Sequence, residues 1–176
     1  AARADAAAVL ARLRGLGLDI HLLSGDRPGP VARLAETLGI ATWQAGCSPV
    51  EKVARIEALR AEGRHVLMVG DGLNDGPSLA AALVSMSPST AADLSQTVAD
   101  VVFQGAKLAP VVTALLTARR SQAAMRQNIA LSLGYNVLMV PLAMAGHVTP
   151  WLAAAAMSSS SLLVMLNSLR MRRAVR

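Results

Sequence analysis

Aromatic side chains are scarce in this chain of 176 residues: Trp43, Phe103, Tyr135 and Trp151 are the whole set. The net charge of +6 invites a nucleic-acid reading. Four scattered rings, however, cannot build a stacking platform or a basic-aromatic stripe, so nucleic acid is excluded as a partner. A single cysteine, Cys47, rules out an internal disulfide framework. It reads as a small loop residue, with a thiolate metal ligand as the alternative. No secretory signal is present; Ala1-Ala2-Arg3-Ala4-Asp5 opens directly into an amphipathic helix, without an initiator methionine. The chain therefore reads as a piece of something longer. Formal charge is absent from two stretches, 18 residues over 129–146 and 22 over 148–169. The apolar content of 53% is high for a soluble α/β domain, and the excess sits mostly after Gln127.

What is present centres on Met68-Val69-Gly70-Asp71-Gly72-Leu73-Asn74-Asp75-Gly76-Pro77. An apolar run over 65–69 predicts a strand that delivers two carboxylates and an amide into a glycine-punctuated loop. Glycines allow the backbone to approach a bound group without a Cβ in the way. Asp71 and Asp75 are hard oxygen donors of the kind a Mg²⁺ site uses beside waters and phosphate. Pro77 suits the first turn of a following helix. A polar strand-to-helix turn is the plainer alternative.

Along the rest of the chain, apolar spacing predicts helices over 5–16, 30–38, 48–63, 78–82, 90–99 and 108–127. Short strands are predicted over 18–23, 40–43, 83–86 and 101–103. This alternation implies a parallel sheet with helices on both faces. Ser24-Gly25-Asp26 closes the first strand at the carboxyl edge, where open α/β sheets bind ligands; a turn or helix cap is the alternative for Ser24. Ser48-Pro49-Val50-Glu51 has the form of a capping box. Lys52 follows in the first turn, where the helix dipole disfavours a cation. Either it is exposed or it faces an anion such as phosphate.

The first uncharged run makes about 27 Å of helix at ~1.5 Å per residue, and either run is long enough to span a bilayer. Arg119, Arg120 and Arg126 precede the pair, and Arg170, Arg172, Arg173 and Arg176 follow it. That pattern predicts both ends cytoplasmic and a tight outer loop between the spans. Tyr135-Asn136 in the first run and Met157 with Ser158 to Ser161 in the second are costly in lipid. They serve either close helix packing or a soft-donor path, since thioether sulfur favours Cu(I).

Taken together, the chain resembles the C-terminal part of a heavy-metal P-type ATPase, a branch of the haloacid-dehalogenase-like superfamily. It is most similar to the copper(I)-transporting subgroup. The resemblance implies a hydroxyl of Ser24-Gly25-Asp26 at the phosphoryl group, Lys52 neutralising an aspartyl phosphate, and Asn74 ordering the loop. It also implies Mg²⁺ held by Asp71 and Asp75, with Asp71 the direct ligand, and ATP as substrate of the parent. Tyr135, Asn136, Met157 and Ser161 correspond to residues that contact transported Cu⁺. Zinc and cadmium pumps would carry a lysine and an aspartate in these two runs, and neither is here.

The implied layout is a partial phosphorylation domain over 1–118 and a basic juxtamembrane helix over 119–128. Transmembrane helices follow over 129–146 and 151–169, with 148 an alternative start for the second. They are joined by an outer loop over 147–150 and trailed by a cytoplasmic tail over 170–176. Implied partners are the lipid bilayer, the remaining domains of the parent pump, and a copper chaperone or acceptor. The implied location is a bacterial plasma membrane.

Departures are informative. Ser87-Pro88-Ser89-Thr90-Ala91-Ala92-Asp93 replaces the usual Gly-Thr-Gly-Thr-Asp and resembles the subgroup that supplies copper for cytochrome oxidase assembly. No Asp-Lys-Thr-Gly-Thr occurs, so the phosphorylated aspartate, like the nucleotide domain and the Cys-Pro-Cys helix, is not in this chain. The alternatives are a catalytically inactive membrane subunit or assembly factor, and more weakly a Zn/Cd pump. A membrane-tethered phosphatase would need Asp-x-Asp, which is missing.

Overall fold

The computed structural model describes residues 3–91, 93–105 and 107–174. Ala92 and Arg176, together with the side chains of Arg170, Arg172 and Arg173, lie outside what is described; where a separate tail is expected from 170, the backbone continues the last helix to Ala174. The chain forms two compact units, Ala1–Thr113 and Ala114–Arg176.

The first unit alternates helix and strand: α1 (Ala6–Gly15), β1 (His21–Leu23), α2 (Pro28–Thr37), β2 (Thr42–Gln44), α3 (Pro49–Ala61) and β3 (Leu67–Val69). A 3-10 turn over Leu73–Asp75 then leads to α4 (Gly76–Ala81), β4 (Val84–Pro88), α5 (Asp93–Val98), β5 (Val101–Phe103) and the first turn of α6 (Ala109–Met144). The sequence places α2 two residues late. Pro28 and Pro30 both fall in its first turn, where no N–H is needed. Gly39 at φ +62° and Gly63 at φ +78° end α2 and α3 in the left-handed conformation that glycine tolerates.

All strand pairs are parallel, as the alternation predicts, but the sheet is in two pieces. β1 pairs with β2, His21 opposite Thr42, and β4 lies between β3 and β5, Met86 opposite both Val69 and Val101. β1 and β3 therefore each have a strand on one side only, and their residues stay half-buried. β4, flanked on both sides, is almost wholly buried from Ser85 to Pro88. The core consists of Val9 and Leu13 of α1, Val31 and Ala35 of α2, and Ile56 and Leu59 of α3, with Leu79, Met86, Phe103, Val111 and Val112.

The second unit is the remainder of α6 with α7 (Pro150–Ala174). The sequence suggests a helix over 108–127 and a separate run from 129. Instead the two are one helix of 36 residues, because neither glycine nor proline interrupts 111–133. Pro141 does lie inside α6, close to its end. Asn167 donates to Asn128 Oδ1 at 2.8 Å, joining α7 to α6. Among the described residues no helix is long and apolar enough to cross a membrane. The runs lack charge, yet Tyr135, Asn136 and Ser158 to Ser161 lower their apolar character.

Candidate functional site

The site grows from the carboxyl ends of β1 and β3. Beyond β1, Ser24 donates its N–H to Gln44 O at 3.0 Å, and its carbonyl accepts from Cys47 N at 2.9 Å. Ser24 Oγ accepts from Asp26 N at 3.2 Å, and Asp26 O accepts from Gly46 N at 2.8 Å. A Cβ on Gly25 would stand 3.4 Å from Cys47 O, so the two loops run in contact. The Ser24-Gly25-Asp26 loop is thus latched to the segment that enters α3.

Ser48 caps α3 as the sequence predicts. Glu51 N donates to Ser48 Oγ at 3.3 Å, and Ser48 N donates to Glu51 Oε2 at 2.7 Å. The Ser48 backbone N–H, then its hydroxyl, hold the Glu51 carboxyl below its ordinary range. With the helix start fixed, Lys52 points inward. It is 8% exposed, and Nζ donates to Asp75 Oδ1 at 2.7 Å. The exposed-lysine alternative is therefore ruled out. Asp75 offsets both the burial of this cation and its position at the positive end of the helix dipole.

Asp75 is placed by the glycines. Its Oδ2 accepts from Gly72 N at 3.0 Å, and a Cβ on Gly70 would lie 2.9 Å from Asp75 Cβ. Only a glycine at 70 admits that approach. Asp71, by contrast, is 60% exposed and pairs with Arg3 at 2.6 Å. Asn74 is exposed. The structure thus joins Ser24, Gly25 and Asp26 to Lys52 through the Cys47–Ser48 turn, and Lys52 to the Asp71–Asp75 loop. Among the described residues no three His, Cys, Asp or Glu side chains gather as a complete metal cage.

Chemically, this edge offers a buried ammonium, a hydroxyl, and exposed carboxylate oxygen at strand ends, a set suited to handling a phosphoryl group. The other four expected residues lie on α6 and α7. Tyr135 is half-buried on α6, while Asn136, Met157 and Ser161 are exposed. The cavity on the helical unit, about 510 Å³, is lined by Ser121, Met125, Asn128, Ser132 and Val164 among others, and by none of those four.

The profile of haloacid dehalogenase-like hydrolases matches residues 1–82. The nitrogen fixation protein FixI of Bradyrhizobium diazoefficiens is 58% identical, over 97% of this chain and 23% of the relative. A copper-exporting P-type ATPase of Bacillus subtilis is 39% identical, over 93% of the chain and 20% of the relative. The crystal structure of a zinc-transporting PIB-type ATPase superposes with TM-score 0.88 at 32% identity, covering 97% of this chain and 28% of that one. The chain is homologous to heavy-metal P-type ATPases. It spans about a fifth to a quarter of the length of the curated relatives it matches. The similarity runs through both units, whereas the hydrolase profile stops inside the first.

Three contacts in the first unit escape sequence reasoning. Arg3 meets Asp71 across 68 positions, Asp5 Oδ2 accepts from Ala109 N at 2.8 Å across 104, and Asp100 Oδ2 accepts from Ser85 N and Oγ at 2.8 Å. No local pattern announces the first two. The third had a weak sign, a serine in a buried strand that needs a partner.

Proposed function

We propose that this chain is the phosphoryl-handling and adjoining helical section of an ATP-driven heavy-metal pump that exports Cu(I) through an aspartyl-phosphate cycle. The observation that carries the proposal is the buried Lys52–Asp75 pair, which ties the first turn of α3 to the Gly70–Asp71–Gly72 loop. Lys52 presents a cation at the sheet's carboxyl edge, held in place before any phosphoryl group arrives. Ser24, its Oγ accepting from Asp26 N, keeps its own O–H to donate to a phosphoryl oxygen. The phosphorylated aspartate belongs to the rest of the pump.

The loop's donor set fits Mg²⁺, which takes one or two carboxylates and keeps waters and phosphate oxygens as its other ligands. Asp71 would hold the ion through its exposed carboxylate, and Asp75, engaged by Lys52 and Gly72 N–H, would order the loop. When bound, the ion neutralises phosphate charge. Arg3, now on Asp71, has to yield that carboxylate.

The preference for Cu(I) is supported by Met157 and by the lack of Asp, Glu and Lys in both uncharged runs. The copper-exporting relative adds support. In this reading α6 and α7 sit in a bacterial plasma membrane with other helices of the pump, which cover Asn136 and the serines. Support comes from Ile129, Leu133, Val137, Leu138, Met144, Trp151 and Leu163, each more than half exposed. Soluble monomers rarely expose so much contiguous apolar surface. The ends are cytoplasmic, and a copper chaperone or acceptor is the corresponding partner.

The test is Asp71→Asn in the full-length pump. Cu(I)-stimulated ATP turnover should disappear, with Zn²⁺ giving no stimulation in the wild type. Turnover that survives the substitution would sink the assignment, and stimulation by Zn²⁺ alone would overturn the metal.

A further inference from the structure

A second feature of the first unit lies where β1 and β2 begin, at the end away from the loops just described. There a cavity of about 440 Å³ is lined by three arginines, Arg14 of α1, Arg55 of α3 and Arg64 beyond α3, with Asp19, His21 and Glu62.

The charges do not cancel. Arg64 pairs with both carboxylates, Asp19 and, at 3.7 Å, Glu62. Arg14 donates to Leu38 O and Gly39 O at 2.9 Å each; these carbonyls hold the guanidinium in position without neutralising it. Arg55 is half-buried and makes no salt bridge among the described residues. His21 Nδ1 is buried with no hydrogen-bond partner. Burial, then the nearby Arg55 charge, keep this imidazole below its ordinary pKa and so neutral near pH 7. Three guanidinium groups against two carboxylates leave one net positive charge around the hollow, a site short of an anion. Ile40 and Leu59 add apolar wall, and the volume exceeds the needs of a bare oxyanion.

We propose that this cavity binds a small organic phosphate, its phosphoryl oxygens on Arg55 and Arg14 beside His21 and its apolar body against Ile40 and Leu59. Guanidinium forks match phosphate geometry, and the surrounding walls limit screening. The site shares no residue with the Ser24, Lys52 and Asp71–Asp75 assembly, so either reading can fail without the other.

The experiment is an NMR titration of the full chain in detergent with phenyl phosphate and, separately, inorganic phosphate. Expected are shifts of the His21 ring and the Ile40 and Thr42 amides, with phenyl phosphate binding more tightly. Arg55→Gln should weaken binding by about tenfold or more, while Arg55→Lys, which keeps the charge, should weaken it less. If Arg55→Gln fails to fold, the comparison of Arg55→Lys with wild type carries the test. Shifts confined to the Gly70 and Gly72 amides, no shifts at all, or undiminished binding in the Arg55 variants would overturn the site. Equal affinity for the two ligands would overturn the organic body.

Discussion

At the scale of single residues, the site depends on a capped helix start and on one glycine. The capping box fixes where α3 begins, which decides that Lys52 faces inward rather than toward water. Replacing Ser48 by alanine should cost about 1 kcal/mol in denaturant unfolding. Glu51 adds a pH dependence. Its carboxyl is held below the unfolded value of 4.5, so its contribution is full above that value and fades as pH falls through the folded one. Wild type should therefore exceed Glu51→Gln in urea midpoint at about pH 6, and the two should converge near about pH 3. A constant gap would show that the Glu51 charge is not what matters. Lys52→Ala would strand the carboxylate of Asp75, which is 14% exposed, beside the cavity left by the ammonium. About 3 kcal/mol of stability should be lost, and Lys52→Met with Asp75→Asn should recover part of it. A loss below about 1 kcal/mol in equilibrium unfolding would mean the pair is not a structural clamp.

At the scale of elements, short strands rely on long-range ties. β1, β2, β3 and β5 have three residues each, too few to define themselves by alternation, and sequence patterning accordingly misplaced or overextended most of them. β5, bounded by Asp100 and Gln104, falls where the pattern predicts it. The helices were more legible because apolar spacing and glycine stops are local signals. α6 is the exception at its far end, which runs on to Met144, while its start lies within one residue of the expected one. Asp5 holds that start: against burial, which would raise it, the Leu108 and Ala109 N–H groups keep its carboxyl below the ordinary range. Asp5→Ala should leave Ala109 N–H without its acceptor. Hydrogen exchange at that amide should speed up about fivefold, with Asp5→Asn closer to wild type. Unchanged exchange would mean that solvent replaces the cap at no cost.

For the molecule as a whole, surface apolarity is the dominant property. Met144, Trp151, Met157 and Val137 are each more than 65% exposed on α6 and α7. In aqueous buffer the chain should self-associate, and in mild detergent it should elute as a single species by light-scattering chromatography. A monodisperse chain without detergent would contradict a bilayer setting for these helices. The half-buried β1 and β3, each with one unpaired edge, point the same way: both units show surfaces suited to further structure.

Residue order alone determined the glycine loop with Asp71 and Asp75, the capping box before Lys52, the alternation of helix and strand, and the two uncharged runs. All rest on neighbours within a few positions, where spacing and side-chain type suffice. Tertiary structure decided that Lys52 and Asp75 form a buried pair, that Arg3 meets Asp71, that the sheet stands in two pieces, and that three arginines line one cavity with His21. Those outcomes depend on groups tens of residues apart, brought together by packing of α1, α3 and β3. No local periodicity encodes such meetings.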